Sequence, residues 1–332
     1  MPLRPPNESD IMSELPAVVT PAALDAVDPE ALTAVWNAAC GEALSISPRA
    51  MAYNLAPSTD VAQHLIVASG DDGLAGFILV SKMANSHVMP AHVGWCDAIA
   101  VTPSSQHRGI GSALLDRGEA WLRDQGCTHS LLGGSIRPFV PGLPEELDNA
   151  AFFRARGFFP RPDDDGVWDV AANLSDYVSP PQVREVDGQV RAATRDDIEP
   201  LRAFLTREFP GRWRYEFEEF LRTNARISDF MVLWTSDGVD GFCQLTFEDS
   251  SRPLDRFFPY TLPRPWGQLG PIGVSAGKRG LGLGAAVLDA GLRRLHNNGI
   301  NGCVIDWTDL VEFYGKFGFT PYRKYVQLVK AL

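Results

Sequence analysis

The chain has 332 residues, of which 45% are hydrophobic and 21% charged, and its formal net charge is −11. This length suggests about two domains of roughly 150 residues, each large enough to bury its own core. The negative charge argues against nucleic acid or an anionic membrane as the main partner, because both attract basic surfaces. A cationic small molecule such as an amine is compatible with it.

The cysteines and the N-terminus indicate the compartment. The five cysteines are odd in number and no two have C-x-x-C spacing. This argues against a disulfide framework and a thiolate zinc site and favours the reducing cytoplasm, and we expect no metal site. No stretch approaches about 18 consecutive apolar residues, so we expect no membrane span. Residues 1–16 lack an apolar core, and we interpret them as a flexible arm rather than a signal peptide.

The first half alternates strand and helix patterns. Asp28 and Pro29 are suited to be the N-cap and the first residue of a helix. The Gly-Asp-Asp-Gly segment at 70–73 predicts a hairpin turn, and a polar loop follows at 85–90. The predicted strands lie at 18–20, 64–69, 74–82, 93–101, 130–133 and 167–174, and the predicted helices at 28–43, 109–125 and 148–156.

The second half repeats this order after a proline-containing linker. We place the linker at 177–187, because its prolines and polar residues suit an interdomain connection. The predicted strands that follow lie at 190–192, 230–235, 241–248, 268–274, 303–306 and 322–329, and the predicted helices at 196–207, 215–221, 281–297 and 310–316.

The spacing of matched residues supports an internal repeat. Val101 and Val274 stand 173 positions apart, and so do Gly109 and Gly282. The offset falls to 161 between Phe153 and Tyr314, which places about twelve extra residues of the first half around 135–149. The repeat predicts two domains of one fold, at 17–176 and 188–332.

A glycine-rich loop opens the corresponding helix of each half, at Gln106–Gly111 and Arg279–Gly284. The first N–H groups of a helix have no partner within it, and glycine lets a phosphate approach them. Arg108, Lys278 and Arg279 offer charge-assisted bonds. Either loop alone is also compatible with a plain strand-to-helix connection. A Rossmann motif requires glycines directly after a strand, but here a polar segment separates the strand from the glycines. The Gly-Lys-Ser/Thr of a P-loop is also absent.

Three motifs resemble those of the GNAT N-acetyltransferase family. They are the segment from Ile99 to Pro103 with the first glycine loop, the segment from Ile272 to Val274 with the second, and Phe313-Tyr314-Gly315-Lys316-Phe317-Gly318-Phe319. The resemblance implies an α/β class chain with two tandem GNAT folds, each a mixed, mostly antiparallel sheet flanked by helices. It also implies that the sheet splays after its central strand and that acetyl-CoA is the acetyl donor.

The resemblance further implies which residues contact acetyl-CoA: backbone N–H groups of each loop would hold the pyrophosphate, and the preceding strand would bond the pantetheine arm. In the first half these residues are Ile99, Ala100, Val101, Gln106, His107, Arg108, Gly109, Ile110, Gly111 and Ser112. In the second half they are Ile272, Gly273, Val274, Lys278, Arg279, Gly280, Leu281, Gly282, Leu283, Gly284 and Phe313.

Tyr314 matches a tyrosine that, in this family, often protonates the departing CoA thiolate. The alternative is a tyrosine that only packs beside CoA. Phe153 stands at the matching position of the first half, and phenylalanine cannot donate a proton. We therefore expect a catalytic second domain and a first domain that binds CoA structurally or is vestigial.

The general base is harder to assign from the sequence. The family often uses a carboxylate on the central strand, where the first half has Asp97 but the second has none between Gln268 and Ile272. We favour Asp306, which ends the next strand, and then Glu248, which ends the hairpin. For both, a solvated carboxylate at the end of a strand is the alternative.

The acceptor is a small-molecule amine in this interpretation. Trp213, Tyr215, Trp266 and Trp307 suit either a sugar ring or core packing. The proline-rich insertion at 136–144 is expected to reach across the domain interface and wall the acceptor site. This insertion, together with Asp306-Trp307-Thr308 and Phe209-Pro210-Gly211-Arg212-Trp213, loosely resembles tandem-GNAT bacterial N-acetyltransferases that act on glucosamine and glucosaminides. A mycothiol-synthase-like transfer to a cysteinyl amine and a non-catalytic acetyl-CoA sensor are the alternatives. The chain is expected to be a monomer or a homodimer.

Overall fold

A computed structural model describes residues 17–71, 73–84, 88–162 and 165–332. The expected N-terminal arm at 1–16, Asp72 of the hairpin turn and part of the polar loop at 85–90 lie outside the described residues. The chain forms two compact units. The described residues of Met1–Leu143, Asn149–Asp163 and Gln327–Leu332 belong to the first unit, and those of Pro144–Asp148 and Asp164–Val326 to the second.

The described residues contain helices and strands that largely follow the predicted order. The strands are β1 (Val18–Ala22), β2 (Val61–Gly70), β3 (Gly73–Met83), β4 (Val93–Val101), β5 (His129–Leu132), β6 (Leu143–Pro144), β7 (Phe159–Pro160), β8 (Val167–Asn173), β9 (Gln189–Ala192), β10 (Phe230–Thr235), β11 (Gly238–Phe247), β12 (Trp266–Val274), β13 (Gly302–Thr308), β14 (Thr320–Val326) and β15 (Leu328–Ala331). The helices are α1 (Pro29–Cys40), α2 (Pro48–Leu55), α3 (Ile110–Asp124), α4 (Ala150–Ala155), α5 (Ile198–Glu208), α6 (Arg212–Arg222), α7 (Leu283–Asn297) and α8 (Val311–Gly315).

The strands form two mixed sheets, one for each repeat. The first sheet has the order β1-β2-β3-β4-β5-β15-β7, and the second β6-β14-β8-β13-β12-β11-β10-β9. Antiparallel pairs dominate both sheets, and the β4–β5 and β12–β13 pairs are parallel. This arrangement confirms the α/β fold class and the two mixed, mostly antiparallel sheets that the resemblance implied.

Two strands lie in the sheet of the other half of the sequence. The predicted strand at 167–174 forms as β8, but it pairs with β13 and β14 of the second sheet. The predicted strand at 322–329 divides at Gln327 into β14 and β15, and β15 pairs with β5 and β7 of the first sheet. The two units therefore differ from the consecutive segments 17–176 and 188–332, because strand order along the chain does not determine which sheet a strand joins.

The linker predicted at 177–187 packs against the second unit. The Tyr177 hydroxyl donates to Asp289 Oδ1 of α7 over 2.9 Å, and Val183 and Val186 pack against the apolar core around α7. Proline and polar content predicts an interdomain connection, but two valines three positions apart and one tyrosine are enough to dock this segment.

The helices cover both faces of each sheet. In the second unit, Val287 and Leu288 of α7 share one core with Leu269 of β12. Phe204 of α5 and Phe217 of α6 share a core on the other face. In the first unit α3 packs against β3 so closely that a Cβ atom on Gly118 would lie 2.9 Å from both Ile78 and Val80. These helices hold each sheet in place around the point where its two parallel strands separate.

Because β15, near the C-terminus, joins the first sheet, we predict that this end of the chain stabilises the first unit. Lys330 of β15 donates to both carboxyl oxygens of Glu119 in α3, at 2.7 and 2.6 Å, and Glu119 is buried. Lys330→Met should lower the free energy of unfolding by about 1–3 kcal/mol, because it leaves that carboxylate with only Arg123. Urea denaturation measures this loss. Lys316→Met, at an exposed position, is the control, and equal midpoints for the two variants would contradict the assignment.

Candidate active site

Each glycine loop ends in a left-handed glycine directly before its helix. Gly109 (φ 84°) precedes α3 and Gly282 (φ 87°) precedes α7, and neither helix has a side-chain cap. Gly280 (φ 82°) takes the same left-handed backbone conformation. Residues other than glycine adopt this conformation only at a cost in free energy. The uncapped N–H groups and the helix dipole favour an anion at both ends, as a CoA pyrophosphate requires.

The basic residues beside the second loop differ in their partners. Arg279 is exposed at the loop. Lys278 was expected to bind phosphate, but its Nζ atom donates to Asp237 over 2.7 Å and to Asp240 over 2.5 Å. Asp240 is buried, and a buried carboxylate needs a cation close by. Burial raises the pKa of Asp240, but hydrogen bonds from Lys278, Ser275 and Thr235 outweigh it and lower the pKa below its usual value. Arg279 is therefore better placed than Lys278 to contact an anion at this loop.

The two parallel strands of the second sheet separate after three paired residues. β12 pairs with β13 only from Trp266 to Gln268, yet it continues along β11 as far as Val274. Beyond Gln268 the side of β12 that faced β13 has an open edge, where an extended pantetheine arm can form strand-like hydrogen bonds. Ile272, Gly273 and Val274 lie on this segment.

The first sheet separates in the same way. β4 pairs with β5 from Val93 to Cys96 and then continues along β3, so that Ile99, Ala100 and Val101 lie on the open segment. The splay implied by the resemblance is thus present in both units. Gln106 of the first loop donates to the Val101 carbonyl over 3.0 Å, so its side chain supports the loop.

An aromatic pair stands beside each helix start. A Cβ atom on Gly284 would lie 4.0 Å from Phe313, and one on Gly111 would lie 3.7 Å from Phe152. The next residue of each pair packs edge-to-face on its neighbour: the ring centroids are 5.2 Å apart for Phe313 and Tyr314 and 5.0 Å apart for Phe152 and Phe153. Tyr314 and Phe153 therefore occupy equivalent positions, and only Tyr314 has a hydroxyl group.

Tyr314 is held as a neutral phenol. It is 4% exposed, and burial, followed by the charge of Asp306, raises its pKa well above the usual value. The Thr308 hydroxyl lies at hydrogen-bond distance and favours the charged form. A protonated tyrosine can donate a proton, and a hydrogen-bond donor beside it stabilises the anion that remains. Tyr314 is therefore suited to release a proton and recover it.

The carboxylate missing from the central strand of the second unit is supplied by the neighbouring strand. Asp306 Oδ1 accepts a hydrogen bond from Gln268 Nε2 over 2.9 Å. It lies 3.4 Å from the Cβ position of Gly270, and Gly270 matches Asp97 of the first unit at the 173-residue offset. The residue that matches Asp306 is Gly133. Each splay therefore holds one carboxyl group between its parallel strands, on opposite strands in the two units.

A second acid, Asp169 of β8, lies beside Asp306. It is 1% exposed and accepts hydrogen bonds from Trp307 N over 3.0 Å and from the Tyr325 hydroxyl over 2.7 Å. Burial, and then the charge of Asp306, raises the pKa of Asp169 to about 7. The sequence contains no local signal for this role, because β8 precedes the second repeat and its position in the chain predicts the first sheet.

Polar side chains form a row across the second sheet. Thr246 of β11 donates to Gln268 Oε1 over 2.9 Å, which orients the Gln268 amide so that its N–H group points to Asp306. Asp169 and Tyr325 continue the row on β8 and β14. This polar row (Thr246, Gln268, Asp306, Asp169 and Tyr325) crosses five adjacent strands. The row forms a polar surface that can bind a polar, cationic acceptor.

The proline-rich insertion is divided between the two units. The described residues 136–143 belong to the first unit, whereas Pro144–Asp148 belongs to the second. In the second unit Glu146 accepts a hydrogen bond from the buried Arg323 over 2.7 Å, and Arg323 lowers the pKa of Asp169. The expectation that this insertion walls the acceptor site stays a prediction.

Glu248 is not brought to the polar row. One carboxyl oxygen accepts from Trp266 N over 3.0 Å and lies 3.5 Å from Arg264. Glu248 therefore binds the start of β12 at Trp266, which lies four residues before Gly270. This favours the interpretation as a strand-end carboxylate.

The four aromatic residues proposed for the acceptor cleft differ in burial. Tyr215 and Trp266 are core residues. Trp213 packs on Phe209 and Phe242. Trp307 is half-buried, adopts φ 54° and lies under the Arg212 guanidinium, 4.5 Å from its ring centroid. Trp307 is therefore the one of the four that combines partial exposure with a position beside the polar row.

The described residues contain no group of three or more His, Cys, Asp or Glu side chains that could hold a metal ion. In the same part of the chain, no helix has the length and the apolar composition needed to cross a membrane.

Comparison with known proteins finds a family model that matches part of the chain and solved structures of similar architecture. Residues 31–136 match the model of the acetyltransferase (GNAT) family. No curated protein matches the chain. Among solved structures, the chain is similar to a fungal protein described as a GCN5-related glucosamine N-acetyltransferase region in a multidomain GH3 β-N-acetylglucosaminidase. The TM-score is 0.82 at 23% identity, over 95% of this chain and 38% of the fungal one. The chain thus spans little more than a third of that protein.

Two further structures have similar tandem architecture along their full length. A tandem GNAT protein from the clavulanic acid biosynthesis pathway has a TM-score of 0.68 at 16% identity, covering 95% of this chain and 98% of that one. A GCN5-related N-acetyltransferase from Sphaerobacter thermophilus has a TM-score of 0.64 at 15% identity, covering 95% of each. At these identities the similarity establishes the fold.

The burial of Asp169 predicts a specific dependence of stability on pH. Its native pKa of about 7 exceeds the value of about 3.9 for an unfolded aspartate, so the native state binds the extra proton. The stability from this proton is complete below about pH 4 and is lost as the pH rises through 7. Relative to Asp169→Asn, the wild-type free energy of unfolding should fall over this range, by up to about 1.4 kcal/mol per pH unit.

Urea titrations at several pH values measure this difference. Asp309→Asn, at an exposed position two residues beyond Trp307, is the control and should follow the wild type. Parallel curves for the wild type and Asp169→Asn would show that Asp169 is not held protonated in the native state.

Proposed function

We propose that the chain is a tandem GNAT acetyltransferase that transfers acetyl from acetyl-CoA to the primary amine of an amino sugar such as glucosamine or a glucosaminide, and that the second unit performs the transfer. One observation carries this division of labour. Each splay holds one carboxyl group, Asp306 in the second unit and Asp97 in the first, but the second unit has Tyr314 where the first has Phe153.

The second loop would bind the donor. The N–H groups at the start of α7, together with Arg279, fit a pyrophosphate. The open edge of β12 fits the pantetheine arm, which would bring the thioester to Gly270. Because Gly270 has no side chain, the space between the strands remains open beside Asp306.

Asp306 would bind the acceptor and take its proton. Its carboxylate attracts an ammonium group and takes one of its protons, while the neighbouring Asp169, protonated below about pH 7, adds no second negative charge there. The neutral amine then attacks the thioester carbonyl, and the C–S bond breaks. Tyr314 would give its proton to the departing thiolate and regain one from the nitrogen, which loses its second proton as the amide forms, while Thr308 stabilises the transient phenolate.

The acceptor class follows from the chemistry of the polar row. Two carboxyl groups suit a cation, and the hydroxyl and amide groups of Thr246, Gln268 and Tyr325 suit a ligand with several hydroxyl groups. Trp307 offers an aromatic surface for a sugar ring. The fungal structure described as a glucosamine N-acetyltransferase region has the same fold, which supports amino sugars as the first compounds to test.

An amine panel with acetyl-CoA tests this proposal. Glucosamine, chitobiosamine, a peptide N-terminus and desacetylmycothiol are compared by CoA release and by product mass. We expect the amino sugars to have the highest kcat/KM. Preference for desacetylmycothiol would support the cysteinyl amine instead. CoA binding without turnover of any amine would contradict the proposed function and favour an acetyl-CoA sensor.

Tyr314→Phe should lower kcat by about 10²–10⁴-fold, because it removes the proton donor. The KM for acetyl-CoA should change little, since the ring and its contact with Phe313 remain. The fold should tolerate the change, because the first unit has phenylalanine at this position. Steady-state kinetics at several pH values measure the loss, and an unchanged kcat would exclude Tyr314 as the acid.

A matched pair of glycine substitutions tests which loop serves the reaction. Gly282→Ala and Gly109→Ala impose a similar strain, because both glycines have φ near 85°. We expect Gly282→Ala to raise the KM for acetyl-CoA and Gly109→Ala to retain turnover. Loss of turnover in both variants would contradict the assignment of catalysis to the second unit alone.

A further inference from the structure

The first unit contains a group of buried polar atoms that have no partner. Neither carboxyl oxygen of Asp97 has a partner at normal hydrogen-bond geometry, and the same holds for Ser81 Oγ and Trp95 Nε1, although the Ser81 and Ser135 hydroxyls lie close enough to Asp97 to lower its pKa. Asn54 Oδ1 and Gln63 Oε1 also lack partners. Because a buried polar atom without a hydrogen bond destabilises the folded state, such a group points to something that binds there.

These side chains lie together on one face of the first sheet. Gln63 pairs with Ser81 across β2 and β3, and Ser81 pairs with Trp95 across β3 and β4, and paired residues have their side chains on the same face. Gln63 Nε2 donates to the Asn54 carbonyl over 2.9 Å, which joins α2 to this face. Asp97 is the extra residue of a β-bulge at the splay, near the Ser81 hydroxyl.

The proline-rich insertion covers this group within the first unit. Ser135, at its start, lies near the Asp97 carboxyl. Arg137 donates to the Ala56 carbonyl at the end of α2 over 2.5 Å, and Phe139 packs on Trp36 of α1 with ring centroids 5.2 Å apart. The insertion therefore contacts both α1 and α2, and the residue before it lies near Asp97.

The unpartnered atoms determine the chemistry of a ligand. Four of the six are acceptors only, one is a hydroxyl group, and only the Trp95 indole is a donor only. The ligand must therefore be rich in hydrogen-bond donors. In the described part of the chain no basic side chain pairs with Asp97, and Asp97 belongs to no group of three or more His, Cys, Asp or Glu side chains that could hold a metal ion. An ammonium group with neighbouring hydroxyl groups satisfies both conditions.

We propose that the first unit holds a second amine site, in which Asp97 binds the ammonium group of a small hydroxylated primary amine that is not acetylated there. Gln63, Ser81 and Trp95 bind its hydroxyl groups, and Asn54 lies at the edge. The amine is not acetylated because Phe153 stands where the second unit has its proton donor. Burial raises the pKa of Asp97 to about 7, so a cationic ligand also relieves the cost of the buried charge.

Hydrogen exchange of the full-length chain with D-glucosamine as the probe, without acetyl-CoA, tests this site. At a concentration about ten times the dissociation constant, peptides from β3 and β4 should exchange about tenfold more slowly through openings that release the ligand. D-Glucose, which has a hydroxyl in place of the amine, should give no such protection. This comparison needs no variant. Equal protection by glucose, or none by glucosamine, would overturn the proposal.

Asp97→Asn supplies the matched variant. The amide has nearly the same shape and no charge to bury, so the ligand-free variant should melt at or above the wild-type temperature while losing the protection by glucosamine. Asp124→Asn, at an exposed position of the same unit, should keep it. Protection that persists in Asp97→Asn would contradict the site. Peptides of β12 and β13 report on the second unit separately, so failure of the proposed acetyl transfer would not be mistaken for failure of this site.

Discussion

The site of each unit depends on one constraint, the separation of two parallel strands after only three or four paired residues. β12 leaves β13 after Gln268, and β4 leaves β5 after Cys96. The separation creates an open strand edge inside the molecule, and backbone groups at such an edge need partners. A substrate that itself bonds like a strand can supply them. The same opening brings side chains from several strands to a single point, where a thioester and an amine can meet.

The two units place their carboxyl groups differently around this opening. The first has Asp97 on the central strand opposite Gly133, and the second has Asp306 on the neighbouring strand opposite Gly270. Two carboxylates in one splay would repel each other. The second unit nevertheless brings Asp169 close to Asp306, and burial holds that acid protonated up to about pH 7. Asp169 comes from the first half of the sequence, so the proposed active site needs both halves of the chain.

Local patterns were enough to predict the features that depend on neighbours in sequence. The glycine loops, the helices that follow them and the Phe313–Tyr314 pair all reside in short segments whose geometry follows from residue type. The repeat predicted two domains of one fold, and the resemblance of its motifs to the GNAT family implied the fold class. The exchange of β8 and β15 could not be predicted, because an apolar strand carries no signal of which sheet it will join, and Asp169 was missed for this reason. Lys278 was assigned to phosphate because Asp240, its actual partner, lies 38 residues away.

The proposed site makes Asp306 the group on which acceptor binding and proton removal both depend. The most direct measurement is the steady-state rate of acetyl transfer by Asp306→Asn, with the amine that the wild type uses best. We expect kcat to fall by about 10²–10⁴-fold, the range for loss of a general base, while the KM for acetyl-CoA stays within about threefold of the wild type. A kcat equal to that of the wild type would contradict the placement of the reaction at this splay.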